Sequence, residues 1–220
     1  MLTRTRVHRG KPGREGFTEG SMTLPPQYFD EMYAGDGDPW GFADRWYERR
    51  KRALTVALLP DDHYATGYEP GCSIGLLTRD LAGRCGRLLA TDVAPAAVAA
   101  ATRRTADLPN VRVEAARLPG DWPAGTFELV VLSEVGYYFD QADARLVAAR
   151  ATASAGTLVA VHWRHPVEDY PCGGDEVHAL LGQAAVGAGL TRLVHHLEDD
   201  LVADVWARDG RSVAARTGLR

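Results

Sequence analysis

The sequence predicts an α/β fold in which a largely parallel sheet carries helices on both faces. From residue 61 onward, strand-like segments alternate with helical segments five times, a pattern typical of parallel sheets. Two further strand-like segments, joined tightly, close the chain and predict an antiparallel hairpin. A chain of 220 residues, 45% of them hydrophobic, suits one sizeable domain better than two.

Two helices are expected before the sheet. Residues 25–33 form a short helix with proline near its start, and residues 45–58 form a second helix with Asp44 as its cap. The pair is too small to fold alone, so we expect it to lie over the sheet as a lid. Residues 1–24 are basic, rich in glycine and without periodicity, which predicts a disordered arm.

The remaining elements follow from hydrophobic periodicity and turn residues. Strands are expected at 61–69, 87–92, 111–115, 127–133, 156–162, 192–197 and 201–207, and helices at 76–82, 95–104, 141–152 and 175–188. Segment 127–133 is almost continuously apolar and is therefore expected at the centre of the sheet. The result is a doubly wound, Rossmann-like, seven-stranded sheet, mostly parallel with a C-terminal antiparallel hairpin strand. This domain spans residues 25–210, and residues 211–220 form a tail.

Composition narrows the classes of function. A net charge of -4 argues against nucleic-acid or membrane partners. No apolar run approaches the roughly 20 residues of a membrane span, and the first residues lack the apolar core of a secretory signal. The three cysteines are not in metal spacing and fit a reducing cytoplasm. The histidines and acids show no ligand spacing either, so we expect no metal site.

A glycine turn follows the first strand. Its pattern is Glu69-x-Gly71-x-x-x-Gly75, immediately before a helix. Glycine turns tightly and lets backbone approach a ligand. Dinucleotide enzymes use G-x-G-x-x-G instead, which is absent and argues against a nicotinamide oxidoreductase. A carboxylate at this turn repels phosphate and attracts a cation, and S-adenosylmethionine (SAM) carries an ammonium and a sulfonium but no phosphate.

Other candidate residues stand where parallel strands end, because ligands bind at that edge of the sheet. Asp92 ends the second strand about 20 residues after the glycine turn, the position of acids that accept ribose hydroxyls. An alternative role for Asp92 is to cap the helix that follows. The ends of the fourth and fifth strands carry residues 133–138 and 162–165.

The order of these motifs resembles a known family. The motifs are YFDEMY, DPWGF and YERRK, then EPGCSIGLLTRDLAGRC and LLATDVAP, then NVRVEAARLPGDWPAGTFELVVLSEVGYYF, and finally VAVHWRHP and GDEVH. Together they resemble class I SAM-dependent methyltransferases, and more narrowly the nodulation protein S family, whose founding members N-methylate a chitooligosaccharide amine. Many superfamily members carry one more glycine in the turn, where this chain has Ser73.

The resemblance implies a set of residues that contact SAM. They are Trp40, Lys51, Glu69, Gly71, Cys72, Gly75, Asp92, Val93, Ala116, Arg117 and Ser133. Lys51 would face the SAM carboxylate, or be a solvated lysine; Trp40 would stack on a ligand, or anchor its loop. Many relatives have an acid after the third strand for the adenine amine. This chain does not, so backbone groups of Ala116 and Arg117 are expected to serve, although Asp121 lies nearby.

The expected reaction is methyl transfer to a small-molecule acceptor, with an amine of an amino sugar or related metabolite favoured by the family. An amine nucleophile must lose a proton, so Glu134 and His162 are candidate bases and Tyr137 would shape the acceptor pocket. The alternatives are that Glu134 holds the SAM ammonium and that His162 is structural, paired with Asp175 or the Trp163 backbone. O-methylation of a natural product, a non-catalytic SAM-binding module and a homodimer stay open.

Overall fold

The computed structural model describes residues 22–35 and 37–220. Its centre is a seven-stranded sheet in the order β3-β2-β1-β4-β5-β7-β6, in which β7 alone runs antiparallel to its neighbours. The strands are β1 Tyr64–Pro70, β2 Cys85–Asp92, β3 Val111–Ala115, β4 Phe127–Ser133, β5 Ala155–Trp163, β6 Thr191–Leu197 and β7 Leu201–Ala207. The helices are α1 Pro26–Gly35, α2 Trp46–Ala57, α3 Leu76–Ala82, α4 Pro95–Arg104, α5 Gln141–Ser154, α6 Gly174–Gly187 and α7 Val213–Arg216. The predicted fold class is confirmed.

Strand β4 lies at the centre of the sheet, as its sequence predicts. Residues 129–132 are at most 1% exposed because helices cover both faces. Strand β1 pairs with it although β1 lacks a run of Val, Ile or Leu. Tyr68 of β1 is fully buried instead, stacked on Phe127 and edge-on to Trp122, with ring centroids 5.1 and 5.2 Å away. Aromatic packing thus supplies the burial that aliphatic side chains supply in the other inner strands.

Two local predictions are wrong. Asp44 does not cap α2; Arg45 is the residue before that helix, and no side chain caps it. Asp38 organises the entry instead, since its carboxylate accepts hydrogen bonds from the backbone of Phe42 and Ala43, at 2.8 Å each. The predicted count of five strand–helix alternations is also wrong, because the loop after β3 leads directly to β4 and a helix follows a strand of the parallel part four times.

Both ends of the described chain are packed against the domain. Thr23 and Leu24, assigned to the predicted disordered arm, are held by Asp143 and by the backbone of Tyr138, at 2.6 and 2.9 Å; residues 1–21 lie outside the described residues. The predicted tail contains α7, whose Arg216 pairs with Asp61 at 2.8 Å. The domain therefore extends beyond both predicted boundaries.

Helices α1 and α2 cover the carboxyl ends of the parallel strands, where the predicted site lies. Tyr33 of α1 packs in a cluster with Ile74, Ala94 and Ala97. Lys51 of α2 is 4% exposed and reaches the end of β4. Within residues 22–35 and 37–220, no helix has the length and apolar character needed to cross a membrane.

Candidate cofactor and acceptor site

A cavity of about 1120 Å³, counting its open mouth, lies between the carboxyl ends of β1, β2 and β4 and the two N-terminal helices. Ten of the eleven residues predicted to contact the cofactor line it: Trp40, Lys51, Glu69, Gly71, Cys72, Asp92, Val93, Ala116, Arg117 and Ser133. Glu134, one of three predicted catalytic residues, lines it as well. Gly75, Tyr137 and His162 do not belong to its wall.

The two glycines of the turn have different tasks. Gly71 lies on the cavity wall with φ 71°, and a Cβ there would stand 2.1 Å from Val135 Cγ2. Gly75 precedes α3 with φ 78°, and a Cβ there would stand 2.9 Å from Ala101. Both positions require glycine for conformation and for space. Gly75 sets the entry of α3 and its packing on α4, whereas Gly71 shapes the cavity.

Ser73 adopts left-handed backbone, φ 50°, a conformation that glycine takes up more readily. Two hydrogen bonds compensate this conformation. The Ser73 hydroxyl bonds the Tyr33 hydroxyl of α1 at 2.5 Å, and the Ser73 amide donates to Asp92 Oδ2 at 2.8 Å. A side chain that glycine lacks therefore ties the glycine turn to the covering helix.

Asp92 is buried, and its carboxylate organises the backbone around it. Oδ2 accepts from Ser73 and Oδ1 accepts from the amide of Ala94 at 3.0 Å. Burial raises the pKa of Asp92, although these bonds act in the opposite direction. Each oxygen keeps a second lone pair for a ligand hydroxyl. The local turn role and the predicted ribose role are thus compatible in one carboxylate.

Glu69 is a fully buried carboxyl group on the cavity wall. It is 2% exposed, and Oε2 has no hydrogen-bond partner within the described chain. Burial raises its pKa to about 8. An unpartnered buried carboxyl oxygen is costly unless a donor or a cation completes it. This atom fits a ligand ammonium, the kind of cation that a carboxylate at the glycine turn is expected to attract.

The adenine amine is a donor, so the backbone groups of Ala116 and Arg117 that could serve it are their carbonyls. Both residues line the cavity, and their amide N–H groups are already bonded, Ala116 to Asp92 O at 3.0 Å and Arg117 to Asp121 Oδ2 at 2.9 Å. Asp121 therefore holds the loop after β3. A base bound there would meet Leu118, an apolar side chain on the same wall.

A buried charge cluster stands at the end of β4. Lys51 Nζ lies 2.8 Å from Glu48 Oε2 and 3.3 Å from Glu134 Oε1 and forms an ion pair with each carboxylate. Tyr137 donates its hydroxyl proton to Glu134 Oε2. Burial opposes the charge of Lys51, yet the two carboxylates outweigh it and raise the pKa of Lys51. Lys51 is therefore a buried, paired lysine, and the alternative of a solvated lysine on the helix surface is wrong.

Glu134 itself has left-handed backbone, φ 58°. Non-glycine residues with this conformation cost about 1–3 kcal/mol and concentrate at functional sites. The conformation turns the Glu134 side chain back over the strand end, toward Lys51 and the cavity. Oε1, which lies 3.3 Å from Lys51 Nζ, makes no hydrogen bond within residues 22–35 and 37–220, so it can accept one from a ligand N–H.

His162 lies behind this wall and is fully buried. Its Nε2 accepts the amide proton of Gly136 at 3.0 Å, and its Nδ1 lies 3.0 Å from His178 Nε2. The predicted pairing of His162 with Asp175 is wrong, since Asp175 pairs with Arg164. Burial lowers the pKa of His162 far below its usual value, and the structure does not bring either ring nitrogen to the cavity.

Aromatic and apolar residues that were not predicted form the rest of the wall. They include Leu24, Phe29, Tyr33, Phe42 and Phe139, beside Tyr138 from the predicted segment 133–138. The spacing of Phe29 and Tyr33 predicts a shared helical face, which was available from the sequence; the contribution of Leu24 was not, because it depends on a backbone bond to Tyr138. Across the described residues, no group of three or more His, Cys, Asp or Glu side chains is placed to hold a metal.

The fold and the site together place the chain in the class of SAM-dependent methyltransferases. The family model of Nodulation protein S (NodS) matches residues 30–155, more than half of the sequence. The chain therefore belongs to the Nodulation protein S family.

Individual relatives agree with this assignment. The Nodulation protein S of Sinorhizobium fredii is 29% identical over 129 residues, 57% of this chain, and the chain spans only 59% of that relative. A crystal structure from Pseudomonas syringae, classed as a methyltransferase, is 45% identical with a TM-score of 0.65, over 74% of this chain and 100% of that one. The N-methyltransferase NodS of Bradyrhizobium japonicum WM9, in complex with S-adenosyl-L-homocysteine (SAH), is 26% identical with a TM-score of 0.72, over 82% of this chain and 96% of that one.

Proposed function

We propose that this protein transfers a methyl group from SAM to a small-molecule acceptor, most directly an amine of an amino sugar or related metabolite. The observation that carries the proposal is the cavity at the strand ends, which joins a cofactor-like wall to a buried carboxylate. Family membership supports the reaction class, and the NodS structure with SAH supports the cofactor. Bound SAM would supply an electrophilic methyl group on a sulfonium.

The cofactor half of the cavity carries the groups that SAM needs. Glu69 Oε2 is a buried acceptor without a partner in the described chain and suits the ammonium. Asp92 has lone pairs left for the ribose hydroxyls. The Gly71 turn brings backbone to the cavity wall where the methionine part would lie. Glu69, whose pKa is raised to about 8, would ionise when a cation binds beside it. The wall would then carry four carboxylates against three cationic side chains, Glu48, Glu69, Asp92 and Glu134 against Lys51, Arg52 and Arg117, which suits a positively charged ligand.

The acceptor half is built around Glu134. Its Oε1, ion-paired with Lys51 but without a hydrogen bond in the described chain, would accept an N–H of the amine and so orient the nitrogen lone pair. The cluster of Glu48, Lys51 and Glu134 has one more carboxylate than ammonium, so taking up the proton released by the methylated amine makes it neutral. Tyr138 and Phe29 provide apolar surface that excludes water beside this carboxylate.

The proposal is tested in two stages. Isothermal titration calorimetry with SAH should show binding to the full chain. A tritiated-methyl assay should then show transfer to one or more amines of a panel of amino sugars and related amines. Absence of heat and of any thermal shift with SAM and SAH would refute the cofactor assignment. Glu134→Gln should keep SAH binding and lower kcat by about 10²-fold or more, the usual size of a general-base effect.

The same assay separates amine from hydroxyl acceptors. Each amino sugar is paired with its N-acetylated form, which keeps the hydroxyls but removes the nucleophilic nitrogen. Transfer lost on acetylation supports N-methylation, whereas transfer retained supports an O-methyltransferase. SAH binding with no transfer to either panel would indicate a non-catalytic SAM-binding module.

A further inference from the structure

A chain of buried hydrogen bonds connects strand β7 to the turn that follows β4. It begins at Asp204 on β7, whose Oδ2 lies 2.6 Å from His178 Nδ1. His178 Nε2 lies 3.0 Å from His162 Nδ1, and His162 Nε2 lies 3.0 Å from the amide nitrogen of Gly136. Asp204, His178 and His162 are each at most 7% exposed. None of the three residues lines the cavity, and the proposed reaction uses none of them directly.

The direction of every proton in this chain follows from its two ends. A backbone N–H can only donate, so His162 Nε2 must be the acceptor and its ring proton sits on Nδ1. That proton is donated to His178 Nε2, which places the His178 proton on Nδ1, facing the Asp204 carboxylate. Both imidazoles are thereby fixed as neutral Nδ1–H tautomers, and Asp204 is the acceptor that sets the order.

The chain of hydrogen bonds ends at Gly136, in the turn that holds Glu134 at the proposed acceptor site. Residues 136–138 form a 3₁₀ turn, and a Cβ at Gly136 would stand 2.4 Å from Val177 and 3.0 Å from His162 Nε2. The next residue, Tyr137, donates its hydroxyl to Glu134, the residue with left-handed backbone. Fixing the Gly136 amide therefore fixes the turn that holds the Glu134 carboxylate.

We infer that the Asp204–His178–His162 chain positions Glu134 for methyl transfer by anchoring the Gly136 amide through a single proton order. The three residues are positioning residues: they act through the 136–138 turn and touch neither the cofactor nor the acceptor. The inference rests on the proposed function for its catalytic consequence, but the hydrogen-bond chain itself does not. His195, which reaches Asp204 Oδ1 from the partly exposed side at 2.9 Å, is a branch that the inference does not need.

Nuclear magnetic resonance of the ¹⁵N-labelled full chain tests the proton order without any activity. Scalar coupling across the N–H···N bonds should appear between Gly136 N and His162 Nε2, and between His162 Nδ1 and His178 Nε2. The imidazole correlations should show both rings as Nδ1–H tautomers. Missing couplings, or an Nε2–H tautomer at His162, would overturn the inference even if the enzyme were fully active.

Substitutions test the consequence for Glu134. His162→Phe removes the acceptor of the Gly136 N–H, whereas His162→Gln retains an oxygen acceptor there. His195→Gln is the matched control, because His195 lies outside the three-residue chain of hydrogen bonds. His162→Phe should lower kcat by about 10- to 100-fold, as expected for a misplacement of roughly 1 Å, with SAH affinity unchanged. His162→Gln should recover most of that loss, and His195→Gln should behave as wild type. Equal losses in the Phe and Gln variants, or a parallel loss of SAH affinity, would assign His162 a merely structural role.

Two further readouts keep the inference testable if a variant or the reaction fails. If His162→Phe does not fold, His178→Phe replaces it, because it removes the acceptor of the His162 proton; the same split between kcat and SAH affinity is expected. If wild type transfers no methyl group, the proposed function fails, and the ¹³C shift of the Glu134 carboxyl becomes the readout. That shift should change in His162→Phe and stay constant in His195→Gln; an unchanged shift in His162→Phe would refute positioning.

Discussion

Substituting Gly71 by alanine tests whether the cavity wall needs the glycine turn. The backbone at Gly71 has φ 71°, and a Cβ there would stand 2.1 Å from Val135 Cγ2. Left-handed backbone costs a residue with a Cβ about 1–2 kcal/mol, and forcing an extra methyl group into packed surroundings costs about 1–3 kcal/mol. We therefore expect Gly71→Ala to lower the free energy of unfolding by about 2–5 kcal/mol. For a domain of this size the Tm falls by roughly 4–20 °C.

Two controls separate these contributions. Gly125 has φ 93°, and an added methyl group there would meet no atom within 4 Å, so Gly125→Ala should show only the conformational cost. Combining Gly71→Ala with Val135→Ala removes the methyl group at 2.1 Å, so the double variant should recover the packing part of the loss. A double-mutant cycle that includes Val135→Ala alone gives the coupling energy between the two positions.

Calorimetry with SAH connects the stability change to the site. Gly71 and Val135 both line the cavity, so relieving their clash must shift the wall itself. We expect SAH affinity to fall at least tenfold in Gly71→Ala, or about 1.4 kcal/mol, and to stay at the wild-type value in Gly125→Ala. If Gly71→Ala unfolds at the same temperature as Gly125→Ala and binds SAH normally, the packing assigned to this turn is wrong.

Three further outcomes are expected. Asp92→Asn loses the charge-assisted bond to Ser73, which is worth about 1.5–3 kcal/mol, and SAH affinity measured by calorimetry should fall at least tenfold; unchanged affinity would move the ribose site elsewhere. Glu69 has a folded pKa of about 8, above its unfolded value of about 4.5. Its contribution to the free energy of unfolding is therefore lost as the pH rises from about 4.5 to 8, at up to about 1.4 kcal/mol per pH unit. Glu69→Gln should flatten this slope when the free energy of unfolding is measured by denaturant titration at several pH values. Lys51→Met leaves Glu134 and Glu48 without a buried cation, so chemical unfolding should show a loss of about 3–5 kcal/mol in the free energy of unfolding. A loss below about 1 kcal/mol, the size typical of solvent-exposed salt bridges, would contradict the buried ion pair.

Much of the site could be predicted because parallel strands bring their carboxyl ends to one edge. Ten of the eleven residues predicted to contact the cofactor line the cavity, and their positions follow from where strands end and from the family pattern. The exception is instructive, since Gly75 belongs to the same motif as Gly71. A motif gives the spacing of two glycines, but only the folded backbone shows that Gly71 faces the cavity and Gly75 faces Ala101 of α4.

His162 shows what strand ends alone do not determine. Side chains alternate between the two faces of a sheet, so His162 shares a face with Leu158 and Ala160. Those residues belong to the core cluster that also contains Val177 and Leu181 of α6. The face of His162 was thus available from the alternation, but the presence of His178 on α6 as its partner depends on helix placement. Local periodicity carries no such information about a residue 16 positions away.

Backbone strain concentrates at the cavity. Among residues 22–35 and 37–220, only Ser73 and Glu134 combine a side chain with positive φ, and both line the same wall. Each is held by partners distant in sequence. Ser73 is held by Tyr33 and Asp92. The amide N–H of Glu134 donates a hydrogen bond to Val161 O at 2.9 Å, and its side chain pairs with Lys51. Strained residues persist only where the surroundings over-determine them. The proposed cofactor and acceptor halves of the cavity each contain one such residue. A cofactor and an acceptor would therefore bind to a wall that is already fixed. This favours alignment of the reacting groups, rather than closure on binding, as the main contribution of this protein to the reaction.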